Sequence, residues 1–385
     1  MKSAVLLLGA LLAMAIGMPH AVHAGPLYKV TVIGGAGSAA YDINSAGQVV
    51  GSLAAGANQH GFLHDGTALL DLGTLGGANS IAWALNDSGT VVGTSDTVNA
   101  FAGFTYANGV LTALPDNLFS ARDINQAGTI VGTGGFGDGL GHAYTYANGV
   151  ITDLGVLPGI DSDGSFGYGI NNAGKAVGEV IVGGPPNRPT QPFLYSGSVM
   201  QDLGDFGGIF SEARAINDHD QVVGAAGGPY LGDGNLYPYK AFLWEGGVLR
   251  MLGAMSPNGD SFANDINNAG QVVGEARAAQ GVIRAFLYEN GSMVPLESLI
   301  DSAAGWTITA ANGINDLQQI AATGCRLGAC YAVRLDLTAA IPEPAHLSML
   351  GAGLLVLALR HGRWRRLSPA SLRASFPAPA PTTLS

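Results

Sequence analysis

The stretch Asp123-Ile-Asn-Gln-Ala-Gly-Thr-Ile-Val-Gly132 decides the fold of this chain, because seven copies of it, one of them degraded, recur along the sequence. In most copies an asparagine is followed three residues later by glycine, and a short apolar run comes next. This pattern predicts two strands joined by a tight turn, in which the asparagine side chain bonds the backbone and the glycine adopts a positive φ. The repeated asparagines are Asn44, Asn86, Asn125, Asn171, Asn217, Asn267 and Asn315.

The spacing of these asparagines indicates the architecture. Successive asparagines are 42, 39, 46, 46, 50 and 48 residues apart. Most intervals also contain an aromatic strand that ends in a hairpin turn, as in Phe104-Thr-Tyr-Ala-Asn-Gly109. Several add a short strand with an Asp-Leu-Gly turn, as in Asp153-Leu-Gly155. A repeat of roughly 40 to 50 residues with four short strands is typical of a β-propeller blade, whereas β-helices use shorter repeats.

The two ends of the repeat region predict that the ring of blades closes. In one period we expect four strands at residues 61–63, 68–70, 81–85 and 90–93. The N-terminal part supplies only three strands of its period, at residues 28–33, 39–43 and 48–51, and the missing aromatic strand comes last, at residues 331–337. We therefore expect an all-β propeller of seven four-stranded blades, in which the N- and C-terminal strands pair within one blade and hide their edges.

Composition and charge narrow the functional class. The chain has 59 glycines in 385 residues and only 12% charged residues, which favours many tight turns and burial on both sides of the sheets. All 28 acidic residues but only 11 of the 17 basic ones lie within residues 25–344, so this body has a formal charge of 11 minus 28, or −17. Such a charge argues against nucleic acid and anionic membranes, and suits a soluble monomer, cations or neutral glycans.

The N-terminal segment predicts export. Residues 1–24 contain Lys2, an apolar run over residues 4–18 and small residues at Val22 and Ala24, which is typical of a signal peptide cleaved before Gly25. The alternative is a buried first helix. Export is favoured over this alternative, because the segment lacks a polar face and a strand-like run follows it at once.

The C-terminal segment predicts a membrane anchor. Pro342-Glu343-Pro344 precedes an apolar run over residues 347–359, and four arginines follow. Thirteen apolar residues fall short of the roughly 20 that a stable transmembrane helix needs, so we expect a transient inner-membrane anchor with its tail in the cytoplasm. The arginines are Arg360, Arg363, Arg365 and Arg366. The final residues 367–385 are rich in Pro, Ala and Ser, a composition that predicts disorder.

This combination of Pro-Glu-Pro, short apolar helix and arginine cluster resembles a PEP-CTERM sorting signal. The resemblance implies an exosortase-type enzyme as a partner, an inner-membrane intermediate, and release to the cell surface or the medium. It covers residues 341–366, with Pro342, Glu343, Pro344 and the four arginines as the sorting motif. Members of that family usually end soon after the arginines, whereas this chain continues for nineteen residues.

The repeats themselves resemble the HAF family of extracellular repeats, named after a His-Ala-Phe phrase. Variants of that phrase occur here as His60-Gly-Phe62, His142-Ala-Tyr144, Lys240-Ala-Phe242 and Arg284-Ala-Phe286. The resemblance covers nearly all of the body, which we delimit as residues 25–340. It implies an extracellular β-repeat protein and brings no catalytic residues.

Four sets of residues are candidates for chemistry, and each also has a structural interpretation. The repeated asparagines could form a ligand ring, but a turn role is favoured. Four histidines lie in the body, without metal-ligand spacing or a nucleophile motif, so packing or exposure is favoured. They are His60, His64, His142 and His219. Calcium is a weaker possibility at Asp161-Ser-Asp-Gly164 and Asp218-His-Asp220, which lack the rest of an EF-hand loop.

The fourth set consists of aromatic residues that stand two positions after the repeat aromatic. They share one strand face, so packing between blades is favoured over sugar stacking. They are Tyr106, Tyr146, Tyr195, Trp244 and Tyr288. The two cysteines, Cys325 and Cys330, are expected to form a disulfide in an exported chain, since two thiolates alone cannot complete a tetrahedral zinc site.

The sequence therefore predicts no catalytic, cofactor or metal residues and no enzymatic activity. We expect an exported cell-surface or extracellular-matrix protein, such as a biofilm-matrix component, that acts as a binding, adhesion or structural module, with an extracellular polysaccharide as a possible partner. Two alternatives stay open. One is a propeller-type polysaccharide lyase or glycosidase, whose carboxylates would come from loops of different blades. The other is an ice-binding protein, although the regular Thr-x-Thr array expected for that function is missing.

Overall fold

The computed structural model describes residues 27–183, 189–228, 239–257 and 259–338. These residues form seven antiparallel sheets of four strands each. The predicted signal peptide, the sorting signal and the C-terminal tail lie outside the described residues. Within the described ranges, no helix is long and apolar enough to cross a membrane.

Blades 1 to 3 each consist of four consecutive strands. Blade 1 contains β2 (Ala39–Ile43), β3 (Val49–Ala55), β4 (Asn58–His64) and β5 (Leu69–Asp71). Blade 2 contains β6 (Gly76–Leu85), β7 (Val91–Thr97), β8 (Phe101–Ala107) and β9 (Val110–Ala113). Blade 3 contains β10 (Leu118–Ile124), β11 (Ile130–Gly135), β12 (Gly141–Ala147) and β13 (Val150–Gly155).

Blades 4 to 6 repeat this order. Blade 4 contains β14 (Ser162–Ile170), β15 (Ala176–Val182), β16 (Thr190–Ser196) and β17 (Val199–Asp202). Blade 5 contains β18 (Ser211–Ile216), β19 (Val222–Gly227), β20 (Tyr239–Glu245) and β21 (Val248–Gly253). Blade 6 contains β22 (Ser261–Ile266), β23 (Val272–Arg277), β24 (Ile283–Glu289) and β25 (Ser292–Pro295).

Blade 7 is composite, as the sequence predicts, but its strands were assigned wrongly. The prediction combined three N-terminal strands with one C-terminal strand, whereas the blade contains one N-terminal strand and three C-terminal strands. It contains β26 (Thr307–Ile314), β27 (Ile320–Arg326) and β28 (Ala329–Leu337), and its outermost strand is β1 (Tyr28–Val32) from the N-terminus. Strand β1 pairs with β28 from Tyr28 opposite Leu337 to Val32 opposite Val333. Three short 3₁₀ turns complete the described elements, at Ala279–Gly281, Leu296–Leu299 and Ser302–Ala304.

The seven blades form a closed ring. The first strand of every blade contacts the first strands of both neighbours, including β2 of blade 1 and β26 of blade 7. These strands surround a central channel. The chain is therefore a seven-bladed β-propeller, which confirms the predicted fold class.

The predicted grouping of strands into blades was wrong. The sequence interpretation placed residues 61–63, 68–70, 81–85 and 90–93 in one blade, but the first two segments belong to β4 and β5 of blade 1 and the other two to β6 and β7 of blade 2. The asparagine turn joins the first and second strands of a blade. A cyclic repeat predicts the period of the ring without showing where each blade begins, and this explains the shift of two strands.

The core lies between neighbouring blades. In strand β3, Val49 packs with residues of blade 7 such as Ala332, whereas Val50 packs with residues of blade 2 such as Phe104. Adjacent side chains of a strand point to opposite faces, so both faces of the sheet are buried. The repeat aromatics fill these layers and have no exposed surface, and they are Phe62, Phe104, Tyr144, Phe193, Phe242 and Phe286.

The glycine that ends each Val-Val-Gly phrase has a packing reason. A Cβ at Gly132 would overlap the carbonyl oxygen of Ser120 on the neighbouring first strand, where the pairing of β10 and β11 shifts register. Where two backbones approach this closely at a β-bulge, only glycine fits easily.

A disulfide bond joins two strands of blade 7. Cys325 of β27 and Cys330 of β28 lie opposite each other and form this bond.

Candidate functional site

The repeated asparagines form a closed ring of hydrogen bonds around the channel. Each side-chain amide donates to the backbone carbonyl of the equivalent asparagine in the next blade, at 2.9 to 3.2 Å, and Asn315 of blade 7 donates to Asn44 of blade 1. Each side-chain oxygen accepts from backbone N–H groups of its own turn, as Asn44 Oδ1 does from Ala46 and Gln48. The asparagines are buried. The structural interpretation of these residues is confirmed, because their amides already serve the turn and the neighbouring blade.

The residues that follow the asparagines make a second set of contacts between blades. The backbone N–H of Asp87, for example, donates to Gln126 Oε1, and that of Asn172 donates to Asp218 Oδ1, both at 2.9 Å. Asp220 accepts from Lys175 Nζ at 2.6 Å. Both carboxylates of the proposed calcium loop at 218–220 therefore already have donors. Among the described residues, no three His, Cys, Asp or Glu side chains are grouped as a metal site requires.

Two of the body histidines stabilise their own blades. His60 Nδ1 lies 3.0 Å from the Asp71 carboxylate in blade 1, and His142 Nδ1 lies 3.1 Å from Asp153 in blade 3. Each pair joins the His-Ala-Phe phrase to the Asp-Leu-Gly phrase of the same blade. The recurrence of this pair within single blades supports a structural role.

The second aromatic of each repeat strand also packs between blades. Tyr106, Tyr146, Tyr195 and Tyr288 are half-buried against the apolar clusters, and Trp244 is 7% exposed. The favoured interpretation of these residues as packing residues is confirmed. They are not arranged as a row of exposed sugar-stacking rings.

The side chains that line the channel opening come from one repeat position, three residues before each asparagine. This position lies on the first strand of every blade, so the ring brings all seven side chains together. It directly precedes the repeat phrase and varies between aromatic residues, arginine and asparagine. The seven residues, in blade order, are Tyr41, Trp83, Arg122, Tyr168, Arg214, Asn264 and Asn312. They surround a cavity of about 400 Å³, here called the channel cavity.

One side of the channel cavity is aromatic. Tyr41, Trp83 and Tyr168 form this aromatic arc, and the Tyr41 and Trp83 rings have centroids 5.0 Å apart. Trp83 Nε1 donates to Thr94 Oγ1 at 3.2 Å, and the Tyr168 hydroxyl donates to Glu179 Oε1 at 2.7 Å. These bonds fix the rings, which is what a preformed binding surface requires.

The other side of the channel cavity is polar. Arg214, Asn264 and Asn312 form this polar arc. Arg214 donates to Glu212 and to Asn264 Oδ1, and Asn264 Nδ2 donates to Ala311 O at 3.0 Å. Asn312 Nδ2 continues to Ala40 O of blade 1 at 2.7 Å. The arc is a connected network that presents oriented amide oxygens to the cavity.

Arg122 lies within the aromatic arc and differs from the other charged residues of the cavity. Its Cζ lies 3.9 Å from the centroid of the Trp83 ring and 5.5 Å from that of Tyr168. Within the part of the chain that the structure describes, its guanidinium makes ring contacts but neither a hydrogen bond nor an ion pair. Burial lowers the pKa of Arg122 from its ordinary value. Arginine nevertheless stays protonated in proteins, so Arg122 is a positive charge whose described contacts are with the faces of two aromatic rings.

Three carboxyl groups lie deeper in the channel, one residue closer to the asparagine ring. Each accepts two backbone N–H bonds, one from its own strand and one from the next blade, as Asp42 does from Ile43 at 2.7 Å and from Leu85 at 3.0 Å. Asp123 and Asp265 make the equivalent contacts. The three aspartates lie on first strands around the channel, and each residue is half-buried.

Burial dominates the protonation of these carboxyls. It raises the pKa of Asp42 to about 7, with the Asp123 carboxyl as a smaller contribution, and raises that of Asp123 to about 6. Burial followed by repulsion from Asp42 raises the pKa of Asp265 well above its ordinary value. The other four blades have alanine or glycine at this position, which are Ala84, Gly169, Ala215 and Gly313. The channel therefore holds three acids that bind protons more readily than ordinary aspartates.

A groove continues from the channel cavity across blades 4 to 6. It shares Glu212 with the cavity and is also lined by Glu179, Tyr239 and Phe262. Burial raises the pKa of Glu179, and this effect exceeds that of the hydrogen bond from Tyr168, which lowers the pKa. Glu212, in contrast, is ion-paired with Arg214. Two carboxyls in different environments thus line one groove.

The residues of the channel cavity were not among the candidates predicted from the sequence. A signal was present, because the position directly before the repeat phrase changes between tyrosine, tryptophan, arginine and asparagine. Its meaning depends on ring closure, which brings together side chains that lie 39 to 50 residues apart in successive repeats.

Comparison with known proteins supports the fold alone. No protein-family model matches the chain, and no curated protein matches its sequence. Among solved structures, the β-propeller domain of the trilobed protease from Pyrococcus furiosus is similar with a TM-score of 0.51 at 10% identity, over 80% of this chain and 98% of that one. That domain is described as having an open velcro topology, whereas in this chain β1 pairs with β28.

Two further structures have lower scores. TolB from Acinetobacter baumannii has a TM-score of 0.42 at 14% identity, over 66% of this chain and 62% of that one. The acylaminoacyl peptidase from Pyrococcus horikoshii has a TM-score of 0.48 at 11% identity, over 79% of this chain and 52% of that one. The chain thus spans about half to two thirds of these two proteins, and its similarity to propeller proteins is a similarity of architecture.

Proposed function

We propose that this protein is an exported binding module that holds a saccharide in the channel cavity. The observation that supports this proposal is the division of the cavity into an aromatic arc and a polar arc, at a repeat position whose residue differs between blades. Ligand sites in proteins are typically concave, with apolar and aromatic walls and a few fixed polar groups. A volume of about 400 Å³ lies within the usual range for such sites.

The two arcs suit a sugar because a sugar ring has both apolar C–H faces and a rim of hydroxyls. Tyr41, Trp83 and Tyr168 offer the apolar surface. Asn264 and Asn312 offer amide oxygens that are already held in place by other contacts and keep a lone pair for a hydroxyl. Little side-chain entropy is lost on binding to groups that are fixed in advance.

Export and sorting form the second half of the proposal. The N-terminal segment would direct the chain out of the cytoplasm, and the Pro342-Glu343-Pro344 motif with its arginines would place it at the cell surface through an exosortase-type enzyme. Intact mass and terminal sequencing of the protein from the native cell surface test this half. We expect a start at Gly25 and loss of the Arg360 cluster, and a retained cluster would contradict sorting.

A glycan and matrix-polymer array tests the binding half, with protein purified from cells that express the full chain. We expect one or a few related saccharides to bind, and Trp83→Ala to abolish their binding. Trp306→Ala is the matched control, because Trp306 is a half-buried tryptophan of blade 7 that packs on Tyr331 and does not line the channel cavity. If Trp83→Ala and the control bind alike, the site lies elsewhere.

A glycosidase is the second candidate function, favoured by the carboxyl pair of the groove. Glu179, with its raised pKa, could serve as a general acid, and Glu212, which contacts Arg214, as a base or nucleophile. The test is release of reducing ends from any polysaccharide that binds. Turnover that disappears in Glu179→Gln while binding persists would establish an enzyme, whereas binding without turnover supports the binding module.

A further inference from the structure

Among the residues that the structure describes, each charged group around the channel cavity except Arg122 has a hydrogen-bond or ion-pair partner. Glu212 is ion-paired with Arg214, and Glu179 accepts the hydroxyl of Tyr168. The three deeper carboxyls each accept two backbone N–H bonds, and they are Asp42, Asp123 and Asp265. Arg122 alone among these groups has no oxygen partner within the described part of the chain.

The position of Arg122 leaves its donors available. A guanidinium carries five N–H donors in its plane, and contact with the face of an aromatic ring does not use them. Arg122 is half-buried, and none of its side-chain nitrogen atoms is fully enclosed, so its donors can reach an acceptor that enters the channel cavity. Planar arginine is suited to two-point contact with the oxygens of an anionic group.

The surroundings permit an anion despite the acidic body. Arg214 and Glu212 compensate each other, so neither adds a net charge to the cavity. The carboxyls of Asp42, Asp123 and Asp265 bind protons more readily than ordinary aspartates, since burial raises the pKa of all three. Within the described residues, Arg122 is therefore the charged group of the aromatic arc that has neither an ion-pair nor a hydrogen-bond partner.

We propose that the channel cavity selects an acidic saccharide, in which a carboxylate or sulfate on the sugar ring is held by the Arg122 guanidinium. The ring itself contacts the aromatic arc, and its hydroxyls meet the polar arc. This inference rests on the proposed binding function and adds the chemical class of the ligand. A carboxylate and a sulfate would accept from the same N–H donors of Arg122. The experiment below therefore distinguishes these two anionic groups.

Binding of four matched oligosaccharides, measured by titration calorimetry at pH 6, tests the inference. The probes are an oligogalacturonate, its fully methyl-esterified form, a neutral galactose oligomer and a sulfated galactose oligomer. We expect an acidic probe to bind at least about tenfold more tightly than the ester and the neutral oligomer, since charge-assisted hydrogen bonds are stronger than those between neutral groups. Preference for the carboxylated or the sulfated probe identifies the source of the charge.

Two variants connect this preference to Arg122. Arg122→Gln is expected to remove the preference, so that acid and ester bind equally, and Arg122→Lys to keep part of it because the charge remains. Arg250→Gln is the control, since Arg250 is an exposed arginine paired with Glu245 and does not line the channel cavity. Each variant is checked for folding by its unfolding transition, and the comparison of acid with ester on the unaltered protein stands even if Arg122→Gln does not fold.

The possible failures are distinguishable. Equal binding of all four probes, with loss of binding in Trp83→Ala, would overturn the acidic specificity and leave saccharide binding in place. An unchanged acid preference in Arg122→Gln would also overturn the inference. A lack of binding to these probes and to every saccharide of the array would overturn the proposed function as well.

Discussion

The side-chain amide of Asn315 donates a 2.9 Å hydrogen bond to the backbone carbonyl of Asn44, across 271 residues of sequence. This bond completes the asparagine ring, and the pairing of β1 with β28 closes the propeller a second time at its outer edge. The inner closure uses a repeated polar residue and the outer closure uses strand pairing. Together they hold the first strands in place, and the channel cavity depends on that arrangement.

Asn315→Ala should destabilise the protein by about 2 to 4 kcal/mol, because it removes the buried bond to Asn44 and leaves two backbone N–H groups of its turn without their acceptor. Chemical denaturation measures this loss. Asp316→Ala is the control, since this neighbouring residue is exposed and should contribute at most about 1 kcal/mol. Equal losses in both variants would show that the ring has no special role.

Tyr28 tests the outer closure, because it is 1% exposed in the core of blade 7 while its hydroxyl has no partner among the described residues. Tyr28→Ala should cost about 3 to 5 kcal/mol through lost packing. Tyr28→Phe should be neutral or stabilising by up to about 1 kcal/mol, because it removes a buried hydroxyl without a hydrogen bond. A marked loss of stability in Tyr28→Phe would contradict this account.

The stability of the protein should fall as pH rises from about 5 to 8. Burial raises the pKa of Asp42 to about 7, so above pH 4 the folded state binds more protons than the unfolded chain, and stability declines until Asp42 ionises. The contribution of Asp42 is on the order of 2 kcal/mol over this interval. Asp123 and Asp265 act in the same direction.

Asp42→Asn should reduce this pH dependence, as measured by denaturation at pH 5, 6, 7 and 8. Its stability at pH 5 should fall by about 1 kcal/mol, because an amide can accept only one of the two N–H bonds. Gln126→Ala, which changes the channel without removing an acid, is expected to keep the full slope. If Asp42→Asn has the same slope as the unaltered protein, the buried acid does not govern the dependence.

Gly132→Ala should cost at least about 2 kcal/mol, because the added Cβ would overlap the Ser120 carbonyl and force the two backbones apart. Gly35→Ala is the matched control, since nothing lies near its Cβ position and the residue is exposed. It should change stability by less than about 0.5 kcal/mol. Thermal or chemical unfolding of both variants provides the comparison.

The fold could be predicted from the sequence because its determinants are local and repeated. The Asn-x-x-Gly turn, the buried Val-Val pair and the aromatic strand each have a period or a turn residue that can be recognised in a single copy. The start of each blade could not be predicted, since a closed ring has no first element, and the pairing of Asn315 with Asn44 appears only in three dimensions.

The candidate site was harder to predict for a related reason. Arg122 and Arg214 occupy the same position on the first strands of blades 3 and 5, but Glu212 stands two residues before Arg214, whereas Ser120 stands two residues before Arg122. Arg214 therefore has a carboxylate partner, whereas Arg122 contacts the rings of blades 2 and 4. Convergence of residues from seven repeats produces a site that no single repeat contains.

The position of a bound ligand tests the central claim most directly. Crystals of the protein soaked with an acidic oligosaccharide that it binds should show the sugar in the channel cavity, with its anionic group on the Arg122 guanidinium and its ring against the aromatic arc. Density for the sugar on the outer rim of the blades, or at the asparagine ring, would contradict the assignment of the site.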